Sequence, residues 1–530
     1  MEIVIVGAGA TGLKCASRMR RLNADAKITV IDKGERISLA RCGLPYLVSG
    51  QIHEVEDLRK TTYDVVRDEK YFKDVFDVEV LTKTGAIGIE REKRVLKISK
   101  NGREDELNYD YLVIATGAKP IRAFSSDERI LTLFSAEDAE KIIELWENGA
   151  EKAVVIGAGF IGLEACEALK SLDLDVVLIE ALEQVAPTLD AEIAKFIDAH
   201  LREKGVEVRL ATRVKDIVAK ERLKVVTEEE IDADFVVQAI GVKPNVDLAV
   251  RAGLEIGVSG AIKVNDFLQT SDERIFAGGD CVENTHIITG KKVYTPFGDV
   301  ANKHGRLIAD NILGRKVRFP GVLGTSVFKV FDLTVAKTGL SEKEAILNGF
   351  KAYSVLLSAF NKSHYYPKAS NMRIKLVVNE DSRILGAQII GYDGVDKRID
   401  VFATAIYARL TIDEVSNLDL AYAPPYAPAL DPVIVASNVA MNKRDGIFDS
   451  TRKVRGILLD LRSKEEAKKF PIKGALNIPL LELRKRVNEL PRDAEITTIC
   501  SVGLRSYVAS RILKAMGFKV KCYEGGVTFL

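Results

Sequence analysis

Two single cysteines are the residues of this chain best suited to chemistry. Cys42 lies in the segment 38–46, and Cys500 opens the segment 500–505. Neither has a second cysteine at CxxC or CxxxxC spacing. A thiolate is a nucleophile towards sulfur, and a lone one forms a mixed disulfide or a persulfide instead of an internal disulfide. The spacing therefore favours reactions with external sulfur atoms.

The other four cysteines are predicted to be packing residues. Cys15 and Cys166 fall in predicted helices after glycine-rich turns, Cys281 follows a Gly-Asp pair, and Cys522 lies in a strand-like run. Free cysteine is commonly buried in protein cores. Because the six cysteines lack metal-ligand spacing, no metal site is predicted.

The composition is that of an ordinary soluble protein with several domains. The chain has 530 residues, 47% of them hydrophobic and 29% charged, with a net charge of +1. This length predicts three or four domains. The near-zero charge gives no field that would favour nucleic acid or an anionic membrane as partner. The sequence shows no signal segment and no apolar run long enough to span a membrane, so we expect a cytoplasmic protein.

A nucleotide-binding pattern immediately precedes Cys42. The apolar strand 3–6 runs into the turn Gly7-Ala8-Gly9-Ala10-Thr11-Gly12, and a helix is predicted to about residue 22. A second strand over 27–31 ends at Asp32, where a ribose hydroxyl needs an acceptor. The glycines allow a pyrophosphate to approach the backbone, and the helix N-terminus attracts its charge.

The same pattern recurs further along the chain. A strand over 153–156 leads into Gly157-Ala158-Gly159-Phe160-Ile161-Gly162, a helix is predicted over 163–172, and a strand over 176–179 ends at Glu180. The carboxylate of Glu180 repels a 2′-phosphate, and the next residues offer no arginine to bind one. The second unit therefore favours NADH over NADPH.

Two further motifs make the chain resemble a known family. Residues 109–117 end in Ala-Thr-Gly, and residues 275–280 end in Gly-Gly-Asp. They are similar to the ATG and GD motifs of the flavoprotein disulfide reductases with two dinucleotide-binding folds. The resemblance covers roughly residues 1–445 and implies an α/β fold with FAD in the first unit and NAD(H) in the nested second one. The residues it assigns to FAD are Gly7, Gly9, Gly12, Asp32, Lys33, Thr116, Gly117 and Asp280; those it assigns to NAD are Gly157, Gly159, Gly162, Glu180 and Gly241.

The resemblance implies three domains, and a C-terminal unit follows them. The three are an FAD-binding domain of residues 1–115 and 242–318, an NAD(H)-binding domain of 116–241, and an α+β dimerisation domain of 319–445; the C-terminal unit is 452–530. A homodimer is implied.

The segment around Cys42 resembles the coenzyme A disulfide reductase branch, in which coenzyme A supplies the second thiol. A helix N-terminus after Cys42 and the neighbouring Arg41 are expected to favour the thiolate. Residues 365–367 and 422–426 are similar to two tyrosine-containing segments of this branch. The resemblance implies that a tyrosine assists the departing sulfur, with Tyr426 the first candidate and Tyr366 or Tyr365 the next. The serines and lysine that usually follow are absent from 427–432, so the resemblance leaves the substrate preference open. Further residues are assigned to coenzyme A: Arg18, Arg20, Arg21 and Ser38.

The C-terminal unit resembles a rhodanese sulfurtransferase domain. Strands are predicted over 456–462 and 496–499, Cys500 follows the second strand, and a helix is predicted over 507–516. Backbone N–H groups of the loop 500–505, the helix N-terminus and Arg505 are expected to stabilise a thiolate and then a persulfide.

Together these features predict an FAD-dependent reductase driven by NADH. Its substrates would be persulfides, polysulfides or coenzyme A disulfide and persulfide, reduced through Cys42, with Cys500 handling sulfane sulfur and sulfide as the product. Two alternatives stay open. One is an NADH oxidase that uses O₂, and the other is a sulfur-trafficking protein in which the rhodanese domain dominates.

Overall fold

The computed structural model describes residues 1–124 and 127–530, which form two compact units. The first unit contains Met1–Val185 and Leu201–Val322, and the second contains Ala186–His200 and Leu323–Leu530. Within the described ranges, none of the helices combines the length and the apolar character needed to cross a bilayer.

The first predicted dinucleotide unit is confirmed as a five-stranded parallel sheet in the first compact unit. In spatial order its strands are Ile275–Ala277, Tyr111–Ile114, Glu2–Val6, Lys27–Ile31 and Glu79–Leu81. Helices that accompany this sheet are Ala10–Leu22, Leu44–Val48, Glu69–Phe76, Asp247–Arg251 and Gly298–Ile312. The central strands are buried on both faces, as expected for a parallel sheet covered by helices.

The second predicted unit is also confirmed as a parallel sheet. In spatial order its strands are Glu207–Arg209, Asp175–Ile179, Lys152–Ile156, Phe235–Gln238 and Ile130–Leu131. Its helices are Ala136–Glu147 and Phe160–Lys170, and the helix Ala191–Glu203 follows them in the chain. The helix after the second glycine turn begins at Phe160, three residues earlier than predicted, because the turn's last glycine lies inside its first turn.

Small antiparallel sheets interrupt both nucleotide-binding sheets and were not predicted from the sequence. One small sheet, inserted in the first nucleotide-binding unit, has the strands Thr84–Glu90, Val95–Lys100 and Arg103–Asn108. The other, inserted in the second unit, has the strands Asp216–Val218, Leu223–Val226 and Glu230–Ala233. A short hairpin pairs Asn284–Thr285 with Lys292–Val293. The strand Ala118–Pro120 pairs antiparallel with Val242–Pro244 where the chain enters and leaves the nested domain.

The second compact unit opens with an antiparallel sheet. In spatial order its strands are Ser326–Val330, Leu333–Gly339, Ile384–Gly391, Asn371–Asn379 and Ala352–Phe360. Its helices are Glu342–Leu347, Val395–Tyr407, Ile412–Val415 and Pro432–Arg444. This agrees with the predicted α+β class.

The excursion Ala186–His200 packs in the second unit although the sequence places it inside the nested nucleotide domain. Buried charges hold it there. Lys375, 1% exposed, bonds to Asp190 at 3.1 Å and to Glu192 at 2.9 Å. The guanidinium of Arg452 lies 3.0 Å from Glu192 and 2.9 Å from Glu524.

The C-terminal part of the second unit is a parallel sheet around its own apolar core. In spatial order its strands are Ser450–Thr451, Lys519–Tyr523, Glu495–Ile499, Ile457–Asp460 and Leu476–Asn477. Its helices are Lys464–Lys469, Leu483–Arg486 and Leu504–Ala515. Both strands predicted around Cys500 are present.

Candidate functional site

The first glycine turn has the close backbone packing that a pyrophosphate site requires. Gly7 has a φ of +113°, and a Cβ at Gly12 would lie 1.9 Å from the carbonyl oxygen of Gly7. A Cβ at Gly9 would meet nothing within 4 Å, so this glycine faces open space. Asp32 accepts hydrogen bonds from the N–H groups of Ala8 at 2.7 Å and Gly34 at 2.8 Å. The turn therefore presents a cradle with a fixed carboxylate at its far side.

The second turn repeats this geometry. Glu180 is buried and accepts hydrogen bonds from the N–H groups of Ala158 at 2.7 Å and Leu182 at 2.9 Å. A Cβ at Gly162 would lie 1.9 Å from the carbonyl oxygen of Gly157, and one at Gly159 would meet nothing within 4 Å. The carboxylate of Glu180 is thus held where the pattern predicts a ribose acceptor.

The Gly-Asp motif leaves a buried carboxylate oxygen free. Oδ1 of Asp280 has no hydrogen-bond partner among the residues that the structure describes. Burial raises the pKa of this carboxyl, and Arg41 opposes that rise. A ribityl hydroxyl is a donor that would satisfy this atom, so the residues present fit FAD. Thr116 is fixed nearby by a bond from its hydroxyl to the carbonyl oxygen of Asn245 at 2.7 Å, and the N–H of Asn245 donates to Gly117.

Lys33, assigned to FAD, and Gly241, assigned to NAD, have different structural surroundings. Gly241 has a φ of +101°, and its carbonyl oxygen accepts a 3.0 Å hydrogen bond from Ile121 at the crossover between the nested domains. Lys33 is exposed beside Asp32. Nucleotide contacts of both residues stay predictions.

Cys42 is exposed in the first unit, within a single 3₁₀ turn, Arg41–Gly43. The prediction that the pKa of Cys42 is lowered is wrong for the protein without bound cofactors. The surrounding protein desolvates the thiol and raises its pKa, and the charges of Glu164 and Asp280 add to the rise. The guanidinium of Arg41, which was expected to lower this pKa, packs on the ring of Phe134 at 4.4 Å.

Glu164 is a titratable neighbour of Cys42 that sequence reasoning missed. It lies on the helix Phe160–Lys170 and lines a small crevice together with Tyr46. Burial, with a contribution from Glu167, raises the pKa of Glu164 to about 7. An acid two residues after the last glycine of the turn, on a largely buried helix, was the available signal. The carboxyl can therefore hold or release a proton near neutral pH.

The three arginines assigned to coenzyme A have different surroundings. Arg18 pairs with Asp310 at 2.9 Å, and Arg20 donates to the carbonyl oxygens of Phe76 at 2.9 Å and Asp77 at 2.8 Å. Arg21 is exposed, and its guanidinium lies 5.2 Å from the ring of Phe76. A phosphate that bound Arg18 or Arg20 would have to share them with these partners.

Ser38 has backbone strain next to the first glycine turn. Its φ is +60°, a left-handed conformation that is uncommon outside glycine, and its N–H donates to the carbonyl oxygen of Ala8 at 3.0 Å. Strain of this kind is concentrated at functional sites. The contact ties the segment that carries Cys42 to the nucleotide-binding turn.

The two tyrosine segments lie together in the second unit. Tyr426 and Tyr365 are 72% and 67% exposed, and Tyr366 is 38% exposed, so all three hydroxyls can meet a ligand. Ser363 donates its N–H to the carbonyl oxygen of Pro424 at 3.3 Å. The two segments therefore form one surface.

Arg398, which was not predicted from the sequence, holds the backbone next to the tyrosines in place. Its buried guanidinium donates to the carbonyl oxygens of Asn361 at 2.9 Å and Tyr426 at 3.2 Å, and it pairs with Asp431. No local sequence signal distinguished this arginine from those on exposed helix faces.

Cys500 lies in a loop whose N–H groups point at its sulfur. The residue is fully buried, and its Sγ accepts hydrogen bonds from Gly503 at 3.2 Å and Ser506 at 3.4 Å. Gly503 and Ser506 stand at the start of the helix Leu504–Ala515. Backbone donors and a helix N-terminus stabilise negative charge, so this geometry suits a thiolate or a terminal persulfide sulfur.

Arg505 does not act as the unopposed positive charge that the sequence led us to expect. It forms a two-point ion pair with Glu466, at 2.6 Å and 2.8 Å, and also donates to the hydroxyl of Ser501 at 2.9 Å. The guanidinium lowers the pKa of Glu466 to about 2. Because Glu466 is distant in sequence and follows an ordinary helix-capping serine, the sequence did not single it out.

Comparison with known families covers nearly the whole chain. Residues 1–303 match the model described as pyridine nucleotide-disulphide oxidoreductase, and residues 325–433 match the dimerisation domain of the same name. Residues 447–528 match the rhodanese-like domain.

Three similar proteins span most or all of the chain. A solved structure described as an NAD-dependent persulfide reductase from A. fulgidus is 54% identical, covers 100% of both chains and has a TM-score of 0.97. A Pyrococcus furiosus protein named NAD(P)H sulfur oxidoreductase (CoA-dependent) is 39% identical over 83% of this chain and 98% of its own. A Methanocaldococcus jannaschii protein named NADH oxidase is 36% identical over 84% of this chain and 99% of its own.

Proposed function

The chain belongs to the pyridine nucleotide-disulphide oxidoreductase family, and from that premise we propose that it is an FAD-dependent reductase that uses NADH to reduce sulfur–sulfur bonds. Its substrates are persulfides, polysulfides, or the disulfide and persulfide of coenzyme A. The names of the relatives from A. fulgidus and Pyrococcus furiosus support this substrate class.

One observation carries the proposal. A single chain combines an exposed Cys42 beside the flavin motif with a Cys500 whose sulfur accepts two backbone hydrogen bonds. An exposed lone thiol suits attack on an external sulfur–sulfur bond, and a sulfur in a cup of N–H groups suits a persulfide. The presence of both favours persulfide over simple disulfide chemistry.

The nucleotides would be held by the residues of the two glycine turns. The first turn, Asp32, Thr116, Gly117 and the unpartnered Oδ1 of Asp280 fit FAD, which supplies the transfer of the electron pair of NADH to sulfur. The second turn and Glu180 fit NAD(H). Glu180 disfavours the 2′-phosphate of NADPH.

Cys42 would attack one sulfur of the substrate as a thiolate, form a mixed disulfide and release a thiol. Tyr426, with Tyr366 or Tyr365, would donate a proton to the departing thiolate, since tyrosine hydroxyls are protonated at neutral pH. Coenzyme A would bind through arginines 18, 20 and 21 and through Ser38. Cys500 would take sulfane sulfur from a donor and deliver it for reduction to sulfide.

We also propose a cytoplasmic homodimer. The match of residues 325–433 to a dimerisation domain supports the dimer. All six cysteines are free, which fits a reducing compartment.

An anaerobic acceptor panel tests the function. NADH consumption is measured with coenzyme A disulfide, coenzyme A persulfide, polysulfide or O₂, for the wild type and for Cys42→Ser and Cys500→Ser. We expect consumption without O₂ that requires a sulfur acceptor and Cys42. Consumption with O₂ alone would instead identify an NADH oxidase, the name of the relative from Methanocaldococcus jannaschii. Full persulfide turnover in Cys42→Ser and none in Cys500→Ser would identify a sulfur-trafficking protein.

A further inference from the structure

Glu466 and Arg505 form a closed pair at the mouth of the Cys500 loop. The two side chains are 41% and 32% exposed, whereas Cys500 is fully buried behind them. Both carboxylate oxygens are engaged by the guanidinium, and Ser501 donates its hydroxyl to Glu466 at 3.1 Å. A donor that reaches Cys500 therefore meets a salt bridge instead of a free cation.

The position of Glu466 is fixed independently of Arg505. It belongs to a capping box at the start of the helix Lys464–Lys469, in which the N–H of Ser463 donates to its Oε2 at 2.8 Å and its own N–H bonds to the hydroxyl of Ser463 at 3.2 Å. The carboxylate is thus held by two sets of donors and does not swing freely away from the loop.

A second charge near the loop is also paired. Arg462, which follows the strand next to Cys500, bonds to Asp460 at 2.7 Å with both side chains nearly closed to solvent. Arg505 is the one charged residue in the segment 500–505. The one formal positive charge of this segment is therefore paired with the carboxylate of Glu466.

Resting on the function proposed above, we propose that Glu466 determines which sulfur donors Cys500 accepts. The paired carboxylate disfavours dianionic donors such as thiosulfate and leaves organic persulfides of low charge as the preferred substrates. The exposed side chain of Leu504, 67% accessible beside Arg505, offers apolar contact to an organic tail.

The transfer is balanced for either donor. The thiolate of Cys500 attacks the outer sulfur of R–S–SH, a bond forms between Sγ and that sulfur, and the S–S bond of the donor breaks. The electron pair leaves with R–S⁻, and the product is Cys500–S–SH. With thiosulfate the leaving group is sulfite, so a dianion must approach and a dianion must depart past Glu466.

The experiment uses the full chain with its flavin, without NADH, in a Cys42→Ser background. The rate at which the chain gains one sulfur is followed by intact mass spectrometry, with thiosulfate or 2-hydroxyethyl persulfide as donor. Glu466→Gln removes the charge but keeps the cap. It should raise the ratio of the thiosulfate rate to the persulfide rate by about two- to fivefold, the effect of one partly exposed charge contact.

Arg505→Gln should move the same ratio in the opposite direction, because it leaves Glu466 without its partner. Glu465→Gln, an exposed neighbour on the same helix, is the matched control and should leave the ratio unchanged. A purely structural role for Glu466 would lower both rates together. A ratio in Glu466→Gln that stays within about 1.5-fold of the wild-type ratio overturns the proposal.

Failure of the underlying function is recognised separately. Cys500→Ser in the same background should gain no sulfur from either donor. If it gains sulfur at the wild-type rate, the role of Cys500 is wrong. If Cys500 is required but the donor ratio does not move, only the role of Glu466 is wrong.

Discussion

Arg398 and Asp431 form an ion pair at 2.9 Å that is almost closed to solvent, with the two side chains 1% and 4% exposed. Asp431 also accepts a 3.0 Å hydrogen bond from the N–H of Val433 at the start of the helix Pro432–Arg444. The same guanidinium bonds to the backbone of Tyr426, in one tyrosine segment, and of Asn361, four residues before the other. The pair therefore links helix capping to the positions of the proposed catalytic tyrosines.

Arg398→Met should destabilise the protein strongly, because it leaves the buried carboxylate of Asp431 without its partner. Breaking a buried pair in this way costs about 3–5 kcal/mol of unfolding free energy. Chemical denaturation measures the loss. Lys397→Met, an exposed change on the same helix, should stay within about 0.5 kcal/mol of the wild type.

The double variant Arg398→Met with Asp431→Leu separates stability from positioning. It should regain part of the lost stability, since no charge stays buried, but the tyrosine segments still lack the guanidinium. We therefore expect its turnover of coenzyme A disulfide to stay low. Recovery of turnover along with stability would show that Arg398 does not position the tyrosines.

His304 should make stability depend on pH in a specific window. Its Nδ1 accepts a hydrogen bond from the N–H of Gly279 at 3.1 Å, so the neutral ring holds the backbone beside Asp280. Burial lowers the pKa of His304 from 6.5 to about 4. Above 6.5 the histidine is neutral in both states and its stabilising contribution is complete. As the pH falls from 6.5 through about 4, the unfolded chain binds the proton first and this contribution is lost.

The size of this loss should be on the order of 3 kcal/mol. It is measured as the difference in unfolding free energy between the wild type and His304→Gln at successive pH values. His53→Gln, which changes an exposed histidine, is the control and should follow the wild-type curve. Parallel curves for the wild type and His304→Gln would contradict the assignment.

Much of the fold was predictable because its signals are local. Each glycine turn, with the strand before it and the acid after the second strand, is specified within a short stretch of chain, and both appear where the pattern placed them. The loop at Cys500 was predictable for the same reason. Its sulfur bonds to N–H groups only three and six residues away.

The features that were missed depend on contacts between distant parts of the chain. Glu466 meets Arg505 and Arg398 meets Tyr426 only after the second unit folds. The segment Ala186–His200 packs in the second unit, where Glu192 forms an ion pair with the buried Lys375. The pKa of Cys42 was mispredicted because it is raised first by desolvation in the folded protein and then by the charges of Glu164 and Asp280, which are distant in sequence.

Glu180 should set the choice of nicotinamide nucleotide. Its carboxylate is fixed by the N–H groups of Ala158 and Leu182, so it cannot turn away from a 2′-phosphate. Glu180→Gln should lower the ratio of kcat/KM for NADH to that for NADPH by about tenfold, the equivalent of one removed charge repulsion of about 1.4 kcal/mol. Steady-state kinetics with both nucleotides measures it.

The control for this change is Glu183→Gln, which removes an exposed carboxylate three residues further on. It should leave the ratio unaltered. An equal fall in both kcat/KM values for Glu180→Gln would mean that Glu180 stabilises the glycine turn but does not discriminate between NADH and NADPH.

Gly526 should be required for the shape of the Cys500 loop. It has a φ of +79°, and a Cβ there would lie 2.6 Å from the carbonyl oxygens of both Cys500 and Ser501. Backbone atoms cannot move aside as a flexible side chain does, so Gly526→Ala must shift the loop. We expect sulfur loading of Cys500 to slow by about tenfold or more, because a misplaced reacting atom is costly.

Gly517→Ala is the matched control, since Gly517 has a similar φ of +84° but a Cβ there would meet nothing within 4 Å. Both variants place an alanine at a positive φ, but only Gly526→Ala has the clash, together with a ψ of −165° that is open essentially to glycine alone. Sulfur loading is followed by intact mass spectrometry, and flavin reduction by NADH is measured to show that the rest of the chain is intact. Equal loading rates for the two variants would show that the loop accommodates the added methyl group and that Gly526 serves only its own backbone conformation.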